Sequence, residues 1–232
     1  MGYSVTGLPG MGSDKTATPR RVVFGGMLAQ LPGGVIIDGS ESRDPLNTGD
    51  LDVLRAGVLM GKRTDNDLYA PSILGVLTEA YDKDGSETTQ LTVSAATAVE
   101  VVRRIGSSGT LYLTGPPAAA GTVATQTVTY SAVNVTTGVI TINALAADSI
   151  SGSFIQDTDG SETILTLIPD GFGIKVTDED STSVDVPFPK PPVGGVLDAS
   201  QIVNYPTDTS LIAYVKAALR AVGTGYAFDD DF

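Results

Sequence analysis

The residues best suited to chemistry in this sequence form two copies of one acidic run. Asp82–Thr88 has the sequence DKDGSET and Asp157–Thr163 has DTDGSET. Closely spaced carboxylates beside a glycine are typical of calcium loops, but an EF-hand loop needs an acid five residues before its glycine and a glutamate six residues after it. The first of these places holds Ala80 or Ile155, and neither copy has the glutamate. The Asp-Gly-Ser pattern instead predicts a tight turn in each copy.

The composition excludes most other catalytic chemistry. The chain has no cysteine and no histidine, which removes disulfides, thiolate metal sites, histidine-based triads and the commonest zinc ligand. The glycine-rich run 7–12 is interrupted by Pro9 and follows no predicted strand, so it is not a dinucleotide-binding loop. No acidic residue lies within an apolar run that would raise its pKa. We therefore expect no enzyme, no cofactor and no metal site.

Charge and hydropathy limit the partners. The 232 residues include 14 basic and 27 acidic side chains, a net charge of −13, and an acidic surface repels nucleic-acid phosphates. No apolar run approaches the roughly 20 residues needed to span a bilayer, and Met1–Ser4 does not begin a basic-then-apolar export signal. We expect no direct nucleic-acid or membrane contact, and synthesis and use without Sec export. With 41% hydrophobic residues, the chain can bury a core.

Short β-prone runs separated by glycine and proline predict a mainly β fold with two helices. Ala95–Ile105 carries apolar residues at helical spacing after a capping Ser94, and Arg103 and Arg104 suit its negative carboxyl end. Asp208–Ala221 is the second helix, capped by Thr207 or Asp208. It could pack on its own subunit or on a neighbour. Strands are expected in 22–24, 34–38, 72–77, 110–114, 122–133, 139–142 and 172–176, and a stiff polyproline-like connector in 187–192.

Two further segments have a more specific interpretation. Residues 1–20 are rich in glycine and proline and end at Arg20 and Arg21, which predicts a mobile arm. Such an arm either has no role or orders on a partner, for instance by strand addition. In 52–62, two apolar runs flank Ala56 and Gly57. This pattern predicts a strand, a bend and a strand, because two glycines would cost a helix about 2 kcal/mol.

The runs LRAGVLMGK (54–62), YAP (69–71) and a later DGSET resemble the head decoration, or capsid cement, proteins of lambda-type tailed phages. The resemblance covers roughly 50–88 and 157–178, less than half of the chain. It implies an α+β, mainly β fold with a small β-barrel or β-clip-like core, and no catalytic residues. It also implies a homotrimer bound to the major capsid protein on the outer surface of the expanded head, after synthesis in the host cytoplasm. The family's use of its arm on the shell favours a partner-bound arm here.

This resemblance suggests a division of the chain and two sets of site residues. The segments are a flexible arm (1–21), the first part of the decoration core (22–90), an inserted β-rich module with one helix (91–153), the second part of the core (154–186), and a proline-rich connector with a C-terminal helix and acidic tail (187–232). The two acidic turns mark either a duplicated hairpin or the two ends of the inserted module. The capsid-contacting arm residues are Tyr3, Val5, Leu8, Arg20 and Arg21. The trimer core residues are Arg55, Gly57, Leu59, Lys62, Tyr69 and Pro71.

The function expected from these observations is a virion protein that stabilises the phage head against internal DNA pressure. Two alternatives remain open: another virion structural protein, from the tail or the head–neck region, or a surface carbohydrate-binding module. A glycan binder should expose aromatic side chains. The 91–153 region and its border offer only Tyr112, Tyr130 and Phe154, which argues against this alternative.

Overall fold

The computed structural model describes residues 23–86, 88–169, 173–189, 191–222 and 226–229. The predicted arm residues Tyr3, Val5, Leu8, Arg20 and Arg21 lie outside these ranges. The described chain is mainly β, as predicted. Its elements in order are β1 Val23–Gln30, β2 Val35–Ile37, β3 Val53–Leu54, β4 Leu59–Lys62, β5 Tyr69–Pro71, β6 Gly75–Val76, β7 Gln90–Thr92, α1 Ala95–Arg104, β8 Gly109–Gly115, β9 Ala124–Asn134, β10 Val139–Ile142, β11 Phe154–Gln156, β12 Thr166–Leu167, β13 Ile174–Lys175, β14 Val186–Phe188, β15 Pro192–Leu197, a 3₁₀ turn Ala199–Gln201, α2 Thr209–Val222 and β16 Tyr226–Phe228.

The described strands form four sheets. A six-stranded sheet has the order β6-β11-β8-β9-β10-β7, and a five-stranded sheet has the order β12-β4-β5-β2-β14. A three-stranded sheet, β1-β15-β16, and a two-stranded sheet, β13-β3, complete the fold. The paired strands are antiparallel except for β15 with β16 and β2 with β5.

The six-stranded sheet shows how the alternating pattern of β8 and β9 is used. Leu111, Leu113 and Val128 point to one face and are fully buried. They pack with Ala98 and Val101 of α1, because side chains alternate between the two faces of a strand. Their neighbours on the opposite face are mostly threonines. The sheet also takes β6 and β11 from outside 91–153, and the proposed division of the chain stays a prediction.

Both predicted helices are present, with bounds within one residue of those expected. The hydroxyl of Ser94 accepts a hydrogen bond from the Thr97 amide at 3.1 Å, and Asp208 caps α2 by accepting from the amide of Ser210 at 2.9 Å. The apolar side of α2 is buried on its own chain, in a cluster that includes Leu197 and Phe228. The open question about its docking is therefore answered in favour of its own subunit.

The strand, bend and strand expected in 52–62 are present as β3, a bend at Gly57 and β4, but these two strands pair with other partners. β3 pairs with β13, whereas β4 pairs with β12 and β5, so the hairpin is formed by β4 and β5. The bend between β3 and β4 follows from a tertiary contact. Gly57 has φ of +95°, and a Cβ atom there would lie 2.0 Å from the carbonyl oxygen of Gln201. Only glycine fits so close an approach.

The polyproline connector is wrong, since 187–192 contains parts of two strands. Pro187 lies in β14, an edge strand that pairs only with β2 among the described strands, and Pro192 begins β15. Edge positions and strand starts tolerate proline because no amide donor is needed there. Two other strands differ in length: β1 continues through Gly25 and Gly26, and 72–77 contains only the short β6. In the described part of the chain, no helix is both long and apolar enough to cross a membrane.

Candidate functional site

The second acidic run folds against a buried arginine at the end of α1. The side chain of Arg104 is fully buried. Its Nε lies 3.0 Å from an oxygen of Asp157, and its Nη2 lies 3.0 Å from an oxygen of Asp159. The prediction that placed Arg104 only at the negative end of the helix dipole was therefore incomplete. The turn predicted in 157–163 is present, and its carboxylates also form ion pairs with Arg104.

The same guanidinium ties three parts of the chain together. Arg104 donates through Nη1 to the carbonyl of Pro71 at 2.8 Å and through Nη2 to the hydroxyl of Ser161 at 2.5 Å. It thereby joins α1, the end of β5 and the second acidic turn. A buried charge is stable only when its polar atoms are satisfied in this way.

Arg63 is the second cation of this cluster. Its guanidinium contacts Asp38 at 2.5 Å and Asp65 at 2.8 Å. Its Nε lies 3.0 Å from Asp159, although the angle there is not that of a hydrogen bond. Asp159 thus lies between the Arg63 and Arg104 guanidinium groups. We call Asp38, Arg63, Arg104, Asp157 and Asp159 the arginine cluster.

The carboxylates of the arginine cluster differ in pKa. Burial raises the pKa of Asp157 above 3.8, and the nearby Arg104 only partly offsets this. Burial acts in the same direction on Asp159, but Arg104 and the hydrogen bonds from Ser161 outweigh it, so the pKa of Asp159 is lowered. For Asp38, hydrogen bonds from Ser40, Asn66 and Arg63 likewise outweigh burial and lower the pKa.

The first acidic run forms an exposed turn. The side chain of Asp82 accepts a hydrogen bond from the amide of Asp84 at 2.9 Å, and Lys83 forms an ion pair with Asp84. The amide of Lys83 donates to Asp148. Among the described residues, no group of three or more acidic side chains is arranged to hold a metal ion.

The six residues predicted for the trimer core are only partly exposed. Leu59 and Pro71 are buried within the chain. Arg55 forms a bidentate ion pair with Asp44, in which Nε and Nη2 donate to the two carboxylate oxygens at 2.5 and 2.9 Å. The side chain of Lys62 is 43% exposed and pairs with Asp67 at 2.7 Å.

Tyr69, opposite Lys62 in the β4–β5 pairing, is half-buried. Gly57, the sixth of these residues, contacts Gln201 as described above. Lys62 is therefore the most exposed residue of this set, and the trimer role of all six residues stays a prediction.

An open groove of about 520 Å³ lies between α2 and the six-stranded sheet. Its lining residues are Tyr112, Thr125, Gln156, Glu162, Thr163, Ile164, Leu165, Tyr214, Ala218, Ala221 and Val222. Sequence reasoning missed this groove, because Tyr112 and Tyr214 are far apart in the chain and no local pattern links them. Of the other aromatic residues considered for glycan binding, Tyr130 and Phe154 are buried.

No protein-family model matches the chain, and no solved structure matches it.

Proposed function

We propose that the protein is a decoration protein that binds the outer surface of an expanded tailed-phage head as a homotrimer and stabilises the shell against internal DNA pressure. One observation carries the proposal: the stretches 54–62 and 69–71, which resemble the decoration family, meet the second of the two DGSET runs in space, whereas the first run forms a separate exposed turn. β4 and β5 pair, with Met60 opposite Pro71. The second acidic turn packs on the same hairpin, since the Thr64 amide donates to the Asp159 carbonyl at 2.8 Å. Matching stretches that form one compact unit support a core in common with the decoration family better than matching stretches scattered over the fold would.

The position of β1 supports a role for the preceding arm. β1 is the outer strand of the three-stranded sheet, and among the described strands it pairs only with β15. Strand addition needs an extended segment or a free sheet edge, and residues 1–21 directly precede such an edge. The arm residues Tyr3, Val5, Leu8, Arg20 and Arg21 would contact the major capsid protein.

Trimerisation would allow individually weak arm contacts to give stable binding to the capsid. A single arm that binds with millimolar affinity contributes about −4 kcal/mol, and it would dissociate readily. Three arms on one trimer gain roughly 10²–10⁴ in avidity when all can engage together. The proposed action is mechanical, with no bond made or broken.

The test is binding to expanded, undecorated capsids of the phage that encodes the protein. We expect saturable binding in multiples of three, a trimeric mass for the free protein, and loss of binding when residues 1–21 are removed. Arg21→Glu should weaken binding, whereas Lys83→Glu, the same charge change on an exposed turn, should not. A ring with another number of subunits would favour a tail or head–neck protein. Capsids that take up none of the protein would refute the proposal.

A further inference from the structure

The groove beside α2 has one polar wall and one apolar wall. The sheet side contributes Tyr112, Thr125 and Gln156, whereas the helix side contributes Ala218 and Ala221 together with Tyr214 and Val222. The volume of about 520 Å³ falls within the range of sites for small molecules. A ligand that fits both walls must carry hydrogen-bonding groups and an apolar face.

Gln156 gives the polar wall a buried hydrogen-bond acceptor. The residue is 1% exposed, and its amide nitrogen donates to the carbonyl of Ser72 at 3.1 Å and to that of Glu162 at 3.0 Å. These two bonds fix the orientation of the side-chain amide. No described residue donates to its Oε1, so this oxygen can accept a hydrogen bond from a ligand in the groove. A ligand with hydroxyl donors would satisfy it.

Two tyrosine rings and one carboxylate complete the wall around Gln156. The hydroxyls of Tyr112 and Tyr214 make no hydrogen bond with any described residue, and both rings are half-buried. Glu162 accepts from the Gly160 amide through one carboxylate oxygen at 2.8 Å. Its charge acts on Tyr214, whose pKa is raised by burial and then by Glu162.

A row of hydroxyl groups continues the polar wall along the sheet. Thr125, Thr127 and Thr129 are exposed on β9. In the β8–β9 register they lie opposite Thr114, Tyr112 and Thr110. An extended ligand leaving the groove would therefore meet further hydroxyls at every second residue.

We propose that this groove binds a neutral oligosaccharide, with one sugar ring between Tyr112 and Tyr214 and the rest of the chain along the hydroxyl row. Sugar hydroxyls are donors for the Gln156 and Glu162 oxygens, and the C–H faces of a sugar ring suit aromatic and small apolar side chains. None of the lining residues is basic, which disfavours an anionic ligand. The site would be separate from the proposed capsid contacts in the arm.

The test is a titration of the ¹⁵N-labelled full chain with three neutral sugars, maltohexaose, cellohexaose and fully N-acetylated chitohexaose, followed by NMR. We expect at least one of these sugars to shift the amide resonances of Tyr112 and Gln156 in a saturable manner. Because a neutral ligand is not screened by salt, added NaCl should leave the affinity unchanged.

Two matched variants of α2 make the test specific. Ala221 and Ala217 are both exposed, but only Ala221 lines the groove. Ala221→Arg should weaken binding at least about tenfold, equivalent to about 1.4 kcal/mol, whereas Ala217→Arg should leave it unchanged.

Three results would overturn the proposal: no shift with any of the three sugars, equal binding by both variants, or binding that weakens as salt is added. Because the titration needs no capsid, its failure is distinguishable from failure of the decoration function.

Discussion

The two acidic runs have nearly the same sequence and different environments. Asp82–Thr88 and Asp157–Thr163 differ only at their second residue. In the first run the Asp84 side chain is 80% exposed, whereas the equivalent Asp159 in the second run is 17% exposed. Each run forms a turn, but only the second contacts buried arginines. The short sequence therefore determines the turn, and distant parts of the chain determine whether its carboxylates are solvated or paired.

The two turns therefore have different structural roles. The first links two elements at the surface. The second connects the β4–β5 hairpin to α1 through Arg104 and Arg63. The comparison can be tested by making equivalent substitutions in each run.

The largest effect is expected from removing the cation of the second turn. Arg104→Met should lower the free energy of unfolding by about 3–5 kcal/mol, because it leaves Asp157 without its cationic partner and Asp159 with Arg63 alone. In the first turn, Lys83→Met should have no measurable effect, since its ion pair with Asp84 lies at the surface, where such pairs contribute little. Urea unfolding of both variants, monitored by circular dichroism, checks this. Equal stability of the two variants would show that the buried pairs contribute nothing.

The next largest loss of stability is expected from substituting Asp159, the carboxylate between the two arginines. Asp159→Asn should cost about 2 kcal/mol, because Asp159 lies within 3.0 Å of both arginines and hydrogen bonds to charged groups contribute about 1.5–3 kcal/mol. Asp84→Asn is the matched control and should unfold at the wild-type urea concentration. A larger loss for Asp84→Asn than for Asp159→Asn would contradict the assignment of the buried site.

A smaller effect is expected from the glycines of the two turns. Gly160 has φ of +102°, and an added Cβ atom would lie 2.9 Å from the carbonyl oxygen of Lys62. Gly160→Ala should therefore cost about 1–3 kcal/mol of backbone strain. The Cβ of Gly85→Ala would come no closer than 3.2 Å to its neighbours, the atoms of Asp82, so this variant should cost less. Thermal unfolding of the pair measures the difference, and similar melting temperatures would mean that the second turn relaxes freely.

Local patterns predicted much of the fold. Caps at Ser94 and Asp208, helical spacing, and alternation in β8 to β10 depend on neighbouring residues, and the elements they predict are present. The pairing of β3 with β13 and the use of Pro187 in an edge strand depend on partners far away in the chain. Such partners leave no local signal, so the β3–β13 pairing was not predicted and Pro187 was wrongly assigned to a connector.

The candidate sites follow the same division. The acidic turn at 157–163 was predicted from its own residues, but its contact with Arg104 was not. Arg103 and Arg104 were already explained by their favourable interaction with the negative carboxyl end of the helix. Likewise, Tyr112 and Tyr214 line the same groove because α2 packs beside β11, where Phe154 and Tyr214 lie 6.4 Å apart between ring centres. Without side-chain packing, the sequence offered no reason to combine them.

The smallest effect is expected in the pH dependence. Asp38 and Asp159 have lowered pKa values in the folded protein, so their contribution to stability is present above their ordinary pKa and is lost as the pH falls below it. Asp157, with a raised pKa, acts in the opposite sense: its contribution is present at low pH and is lost as the pH rises through its folded pKa. The two opposing effects partly cancel, so the wild type should lose only modest stability between about pH 5 and pH 3.

Asp159→Asn should make this loss of stability smaller, since it removes one of the carboxylates with a lowered pKa and leaves Asp157. Asp84→Asn should retain the wild-type pH profile, because its carboxylate is exposed. Urea midpoints measured across this pH range test both variants, and an unchanged slope in Asp159→Asn would show that the second turn is no more sensitive to acid than the first.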